Sequence, residues 1–257
     1  NINRSMDAGQ CSAVISFTAT AADNCNASPT ITFSPASGSP FGLGQTIVTA
    51  TAGDGNGNTA TCSFTITVSD NQAPVLNCPA AVNQLADPGA CSTNVSFSVS
   101  ASDNCNAIPT LSGSHTSGLF NVGSTTVTYT ADDGNGNTAS CIFNVVVSDN
   151  QLPTISCPAN IVQNNDANQC SAVVNFTVTA ADNCATSPAI AYSKASGTVF
   201  QLGATTVTAT ANDGNGNTAS CAFTVTVNDT QKPSIVCPAN VTVNNTTNLC
   251  SAAVTVP

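Results

Sequence analysis

The chain has 257 residues, of which 13 are cysteine and 13 acidic, against three Lys or Arg, for a net charge of −10. So few cations exclude a nucleic-acid partner, which requires a basic face. No apolar run reaches transmembrane length, so this segment does not span a bilayer as a helix. A single histidine and 5% aromatics leave little for a histidine-based catalytic centre or a stacking platform.

The cysteines set a period. Cys11, Cys91, Cys170 and Cys250 are 80, 79 and 80 residues apart, and Cys25, Cys62 and Cys78 recur at the same step. Four cysteines per repeat imply a disulfide framework and an oxidising, extracellular compartment. The chain starts and stops inside a period, which reads as an excerpt of a longer tandem array. The divisions expected are 1–69 (a repeat truncated at its start), 70–148, 149–228 and the beginning of a further repeat at 229–257.

Within the second repeat, strands are expected near 81–86, 93–101, 108–112, 118–122, 124–131 and 138–148. In 94–102, Val95, Phe97, Val99 and Ala101 share one face. In 125–131 Val127, Tyr129 and Ala131 do so, and in 140–149 Cys141, Phe143, Val145 and Val147. Alternation with one wet face belongs to antiparallel sheets. Six or seven short strands per period, punctuated by Gly, Asn and Pro, predict an all-β fold of tandem β-sandwiches, each about 80 residues. The proline of "DNQAP", "DNQLP" and "DTQKP" marks a short, stiff linker between repeats.

The stretch "DGNGN" at 54–58, 133–137 and 213–217 joins the last two strands of each repeat. Gly and Asn accept positive φ, so a tight turn explains it without a ligand. The Asp133, Asn135, Asn137 spacing resembles half of an EF-hand, but the chain contains no Glu to close one. Calcium would instead be held by loops that converge. Asp70, Asp103 and Asp133 with Asn135 form one expected set, and Asp149, Asp182 and Asp213 with Asn215 the next. Asp23 and Asp54 are the counterparts in the first repeat. Three carboxylates with Asn and backbone carbonyls make an oxygen set suited to calcium. The competing reading is that "SDN" and "ADN" are Asx turns in solvated loops.

Four cysteines allow three pairings per repeat. Cys91 and Cys105 bracket an extended strand roughly 30 Å long at about 3.3 Å per residue, too far for a bridge. Placing Cys105 at the hairpin end favours Cys105–Cys141, and leaves Cys91 at the exit end facing Cys157. Repetition gives Cys11–Cys78 with Cys25–Cys62, and Cys170–Cys237 with Cys184–Cys221.

"CPAAV" (78–82), "SDNC" (102–105), "FNVGSTTVT" (120–128) and "GNTASCIFNVVVSD" (136–149) together resemble the hyalin (HYR) repeat, and the resemblance covers the whole chain. It implies an immunoglobulin-like sandwich of extracellular adhesion proteins. It also implies a rival pairing, Cys78–Cys141, because hyalin repeats with two cysteines keep that pair. The cysteine count and the Thr/Asn/Ala usage are similar to repeats of giant surface proteins of Bacteroidetes, gliding-motility adhesins among them. The expected role is a structural stalk or filament segment projecting an adhesive surface. Its partners would be other surface components, glycans or surfaces, with self-association into filaments as a further class. The alternative is a binding module recognising a glycan or protein. No nucleophile with a base recurs in the repeats, so an enzyme is not expected. His115, Tyr129 and Tyr192 have no counterparts in the other copies and read as loop and packing residues. The sequons at 175–177 and 228–230 matter only if the source glycosylates them.

Overall fold

The computed structural model describes residues 1–245, 247–248 and 250–254. Every regular element among them is a β-strand. The chain divides into two compact units, Asn1–Gln151 and Leu152–Pro257. The first contains two sandwiches and the second one.

The second repeat gives the pattern. One layer is a four-stranded sheet in the order Thr110–Gly113, Gly123–Asp132, Thr138–Ser148, Ala81–Leu85, the last running parallel to its neighbour. The other layer is two short antiparallel pairs, Val75–Asn77 with Ser100–Ser102 and Ser92–Val95 with Gly118–Asn121. Alternation made the long hairpin legible, because its Val127, Phe143, Val145 and Val147 all bury against the second layer. Phe97 fills the centre, meeting Phe120, Tyr129 and Phe143 edge-on with centroids 6.2, 6.3 and 5.1 Å away. Each such side chain stabilises the fold by about 1.5–3 kcal/mol when fully buried. Phe17 and Phe176 occupy the same place in the first and third repeats.

The single strand expected over 93–101 is two strands, Ser92–Val95 and Ser100–Ser102. Between them the chain leaves one partner strand for another. The Phe97 backbone is satisfied there by Ser117, whose Oγ accepts from the amide at 3.0 Å and donates to the carbonyl at 2.9 Å. Ser37 and Ser196 serve Phe17 and Phe176 in the same way. The short strand Val75–Asn77 was not expected at all. Three residues after a proline carry too little alternation to register as a strand.

The third repeat copies this order with Ala189–Tyr192, Gly203–Asn212, Thr218–Asn228 and Ile161–Asn164. Its second layer is Thr154–Ser156 with Thr179–Ala181, and Ser171–Val174 with Thr198–Gln201. The first repeat has Thr30–Ser34, Gly44–Gly53, Thr59–Ser69 and Ile2–Ser5, plus Ser12–Val14 with Pro40–Gly42. Residues 229–245 are exposed and lie outside any strand.

Candidate functional site

The "DGNGN" loop is a turn closed by its own aspartate. The Asp133 amide donates to the Asn137 carbonyl at 3.2 Å. Asp133 Oδ1 accepts from the amides of Asn135 and Asn137 at 2.8 and 3.0 Å, and Oδ2 from Asn137 Nδ2 at 2.6 Å. Gly134 and Gly136 take φ of +79° and +100°, which only glycine adopts at low cost. Asp54 and Asp213 make the same contacts.

These hydrogen bonds favour the ionised carboxylate. The Asn58 side-chain amide is the main cause holding Asp54 below the usual carboxylate value. At Asp133 and Asp213 burial pushes upward, but the donors from Asn137 and Asn135, and from Asn217 and Asn215, together outweigh it.

Three loops then converge on one point in the first unit. One carboxylate oxygen from each of Asp70, Asp103 and Asp133 lies within 4.8 Å of the others. Asp70 comes from the linker, Asp103 from the "SDNC" loop and Asp133 from the hairpin. Asp70 Oδ1 accepts from the Gln72 amide at 3.0 Å and Oδ2 from Asn135 Nδ2 at 3.2 Å. Asp103 Oδ1 accepts from the amides of Cys105 and Asn106 at 2.8 and 3.0 Å. Asp103 Oδ2 is buried and has no hydrogen-bond partner. Arg4 is the only Arg or Lys in residues 1–151, so cationic side chains offer little to neutralise three gathered carboxylates. An orphaned buried oxygen beside two other carboxylates fits a hard cation with oxygen ligands.

The counterparts are individually similar. Asp182 Oδ1 accepts from the amides of Cys184 and Ala185, both at 2.8 Å, and its Oδ2 is likewise buried without a partner. Asp149 is buried and accepts from the Gln151 amide at 3.0 Å. Asp23 is exposed and caps its loop through the amides of Cys25 and Asn26.

Sequence reasoning missed several residues at this end. Asn106 Nδ2 donates to the Asp133 carbonyl at 2.8 Å and locks the "SDNC" loop to the hairpin. Asn104 Nδ2 reaches the Gln10 carbonyl of the first repeat at 2.8 Å. Gln72 Oε1 accepts from the Gly9 amide at 3.3 Å, clamping the linker to the exit turn of the first repeat. Gln151 does the same to Gly89 at 3.0 Å. Glutamine at the same place in all three linkers (72, 151, 231) was the available signal.

The cysteines pair differently from the expected scheme. Cys78 bonds Cys141 and Cys157 bonds Cys221. That removes Cys105–Cys141, Cys91–Cys157 and Cys184–Cys221, and agrees with the rival pairing. Cys11 bonds Cys105, with Cα atoms 4.9 Å apart, rather than Cys78. Cys25 and Cys62 are unbridged, as are Cys170 and Cys237, so neither Cys25–Cys62 nor Cys170–Cys237 is formed. The reason is orientation. Cys105 does lie at the hairpin end, but it faces the preceding repeat, where Met6 Sδ also touches its sulfur at 3.0 Å. Cys11 is at the exit end of its repeat, and the cysteine it meets across the linker is that of "SDNC", not that of "CP". Cys78 instead lies over its own sandwich, within reach of Cys141.

His115 is a loop residue bonded to Ser114 Oγ through Nδ1 at 3.0 Å. Tyr129 packs over Gly113, where a Cβ would meet the ring at 2.4 Å. Tyr192 packs on Phe176 with centroids 5.8 Å apart.

The family model for the HYR domain matches residues 1–68, 69–147 and 148–227. The chain belongs to the HYR domain family. The HYR repeats are 36% identical over 235 residues to hyalin of Strongylocentrotus purpuratus, covering 87% of this chain and 20% of that protein. Hyalin of Lytechinus variegatus is 32% identical over 213 residues, covering 80% of this chain and 40% of its own length. The chain therefore spans between a fifth and two-fifths of the length of these two hyalins. Among solved structures, a mouse cadherin-23 fragment (EC22-24) is 14% identical with a TM-score of 0.35, covering 89% of this chain and 96% of that one.

Proposed function

We propose that these HYR repeats form part of the stalk or filament of an extracellular, cell-surface adhesion protein, and that their role is mechanical. The observation that carries this reading is the Cys11–Cys105 bridge. It joins the first repeat to the second across the linker that Asp70 and Gln72 already hold at both ends. Load passing along the chain then crosses the junction through two covalent paths, and bending must work against both. The repeat step carries Cys11 to Cys91 and Cys105 to Cys184, so the same staple is proposed for the next junction. Giant adhesins of the Bacteroidetes kind are the proposed setting, with other surface components, glycans or surfaces as partners.

Calcium is the proposed cofactor of the junction. Asp70, Asp103 and Asp133 would hold it, with Asn135 bracing Asp70. The orphaned Asp103 Oδ2 supports this. By the repeat step, Asp149, Asp182 and Asp213 with Asn215 form the next set, and Asp23 and Asp54 the corresponding pair in the first repeat. The cation would pin linker, loop and hairpin to one point.

Small-angle scattering of the oxidised chain against Cys11→Ser tests the stalk reading. The variant should show a broader distribution of distances, and superimposable profiles would overturn the mechanical role of the bridge. Calorimetric titration with calcium chloride tests the cofactor. Heat that disappears in Asp103→Asn is the expected result, and no heat at millimolar calcium would rule the site out.

A further inference from the structure

Each hairpin loop contains two asparagines, and their surroundings differ. In the second repeat Asn135 and Gly136 are exposed, whereas Asn137 is half-buried. The backbone is held on both sides of the Asn135–Gly136 bond. The amides of Asn135 and Asn137 donate to Asp133 Oδ1, and the Asp133 amide closes the turn on the Asn137 carbonyl at 3.2 Å. The Gly136 amide between them donates no hydrogen bond among the described residues. Gly136 takes φ of +100° and has no Cβ to shield its nitrogen. The chain has three Asn-Gly pairs, Asn56–Gly57, Asn135–Gly136 and Asn215–Gly216, and all three stand at this place in a hairpin.

In an Asn-Gly pair the backbone nitrogen of the glycine can reach the side-chain carbonyl carbon of the asparagine unhindered, which is one source of the thermal lability of asparagine. The other two candidates in the loop are blocked. Asp133 also precedes a glycine, but its carboxylate accepts three hydrogen bonds and stays ionised, and an ionised carboxylate is a poor electrophile. Asn137 commits Nδ2 to Asp133 Oδ2 at 2.6 Å and is followed by β-branched Thr138, the first residue of a strand. Asn135 Nδ2 has a different partner. It donates to Asp70 Oδ2 at 3.2 Å, a hydrogen bond through which the hairpin holds the linker aspartate.

We propose that Asn135–Gly136 is a self-modification site, and that its conversion to an acid turns the clamp on Asp70 into a repulsion. The Gly136 nitrogen gives its proton to a solvent base and bonds to Asn135 Cγ. Nδ2 takes a proton from water and leaves as ammonia, which closes a cyclic imide. Water then opens the imide on either side, to aspartate or to isoaspartate. The net reaction consumes water and releases ammonia, with no change of oxidation state. Both products lose the amide donor to Asp70 Oδ2 and put a further carboxylate beside Asp70, Asp103 and Asp133. Like charges gathered this closely disfavour one another. The change is one-way, and it acts where linker and hairpin meet. The repeat step carries the same chemistry to Asn56 and Asn215. The inference stands on the loop and on the Asn135–Asp70 contact, independently of the stalk reading and of calcium.

The test is incubation of the oxidised full chain in EDTA at mildly alkaline pH, followed by peptide mapping by mass spectrometry. Asn135 should become acid at least about tenfold faster than Asn137, a ratio that corresponds to about 1.4 kcal/mol of barrier. Conversion of Asn135 only after unfolding in urea would overturn the site. The consequence is read from melts in EDTA. Asn135→Asp should melt below Asn135→Ala, because Ala only loses the hydrogen bond while Asp adds repulsion, and salt should narrow that gap. Asp70→Asn added to Asn135→Asp should restore the melt toward wild type, since amide and carboxylate then trade places and the Gln72 amide keeps an oxygen to bond. Equal melts for Asn135→Asp and Asn135→Ala, or no rescue by Asp70→Asn, would overturn the switch from clamp to repulsion.

Discussion

The first and third repeats share nearly the same strands and the same phenylalanine core, yet one is closed and the other open. In the third, Thr154–Ser156 covers the Ala209–Ala211 end of the sheet, and Cys157–Cys221 ties it down. In the first, the matching end is a groove, with Ala52 half-buried and Cys62 bare. The second and third sandwiches of this chain are therefore each completed by a strand from the linker that precedes them. The period of the sequence and the unit of packing are offset by about one strand.

The largest test of that comparison is reduction. The Cys157–Cys221 bridge closes a loop of 64 residues, for which chain entropy allows about 4 kcal/mol. Cys221→Ser should lower the melting temperature of the third repeat sharply, while Cys62→Ser should leave the first repeat unchanged. Equal effects would mean that the covering strand does not depend on its bridge.

Calcium should separate junction from far end. Added calcium at a hundred times its dissociation constant stabilises by about 2.7 kcal/mol. Asp133→Ala should remove the calcium-dependent rise in melting temperature. Asp87→Ala should not, because its carboxylate binds Thr93 at the exit turn. Scanning calorimetry with calcium and with EDTA distinguishes the two.

Ile155→Asp should convert the third repeat toward the open form of the first. Placing a charge where Ile155 packs against the core should cost about 2 kcal/mol. Hydrogen exchange at residues 179–181 should then approach that at 20–22. Unchanged protection would show that the backbone ladder alone holds the strand.

The smallest effect is that of pH. Asp54, Asp133 and Asp213 all titrate below the ordinary value of 3.8. A lowered folded pKa binds fewer protons than the unfolded chain, so its contribution is complete above about pH 4. It is lost as pH falls through the folded values. Melts in EDTA should be flat from neutrality to about pH 4 and fall below it. Asp213→Asn should flatten part of that fall in the third repeat.

Reading the chain as a string was sufficient for whatever is local. Strict alternation marked the long hairpin strands Gly123–Asp132 and Thr138–Ser148, because burial on one face demands a period of two. The glycines and Asp133 marked the turn, since positive φ and a capping carboxylate are properties of five neighbouring residues. The cysteine period marked the repeat itself. What the sequence could not decide is what depends on direction. Whether Cys105 faces Cys141 or Cys11 turns on which way a loop side chain points across a linker, and spacing along the chain is blind to that. The strand Val75–Asn77 has too few residues to show a pattern, and exists because the sheet edge at Ser100–Ser102 offers it partners.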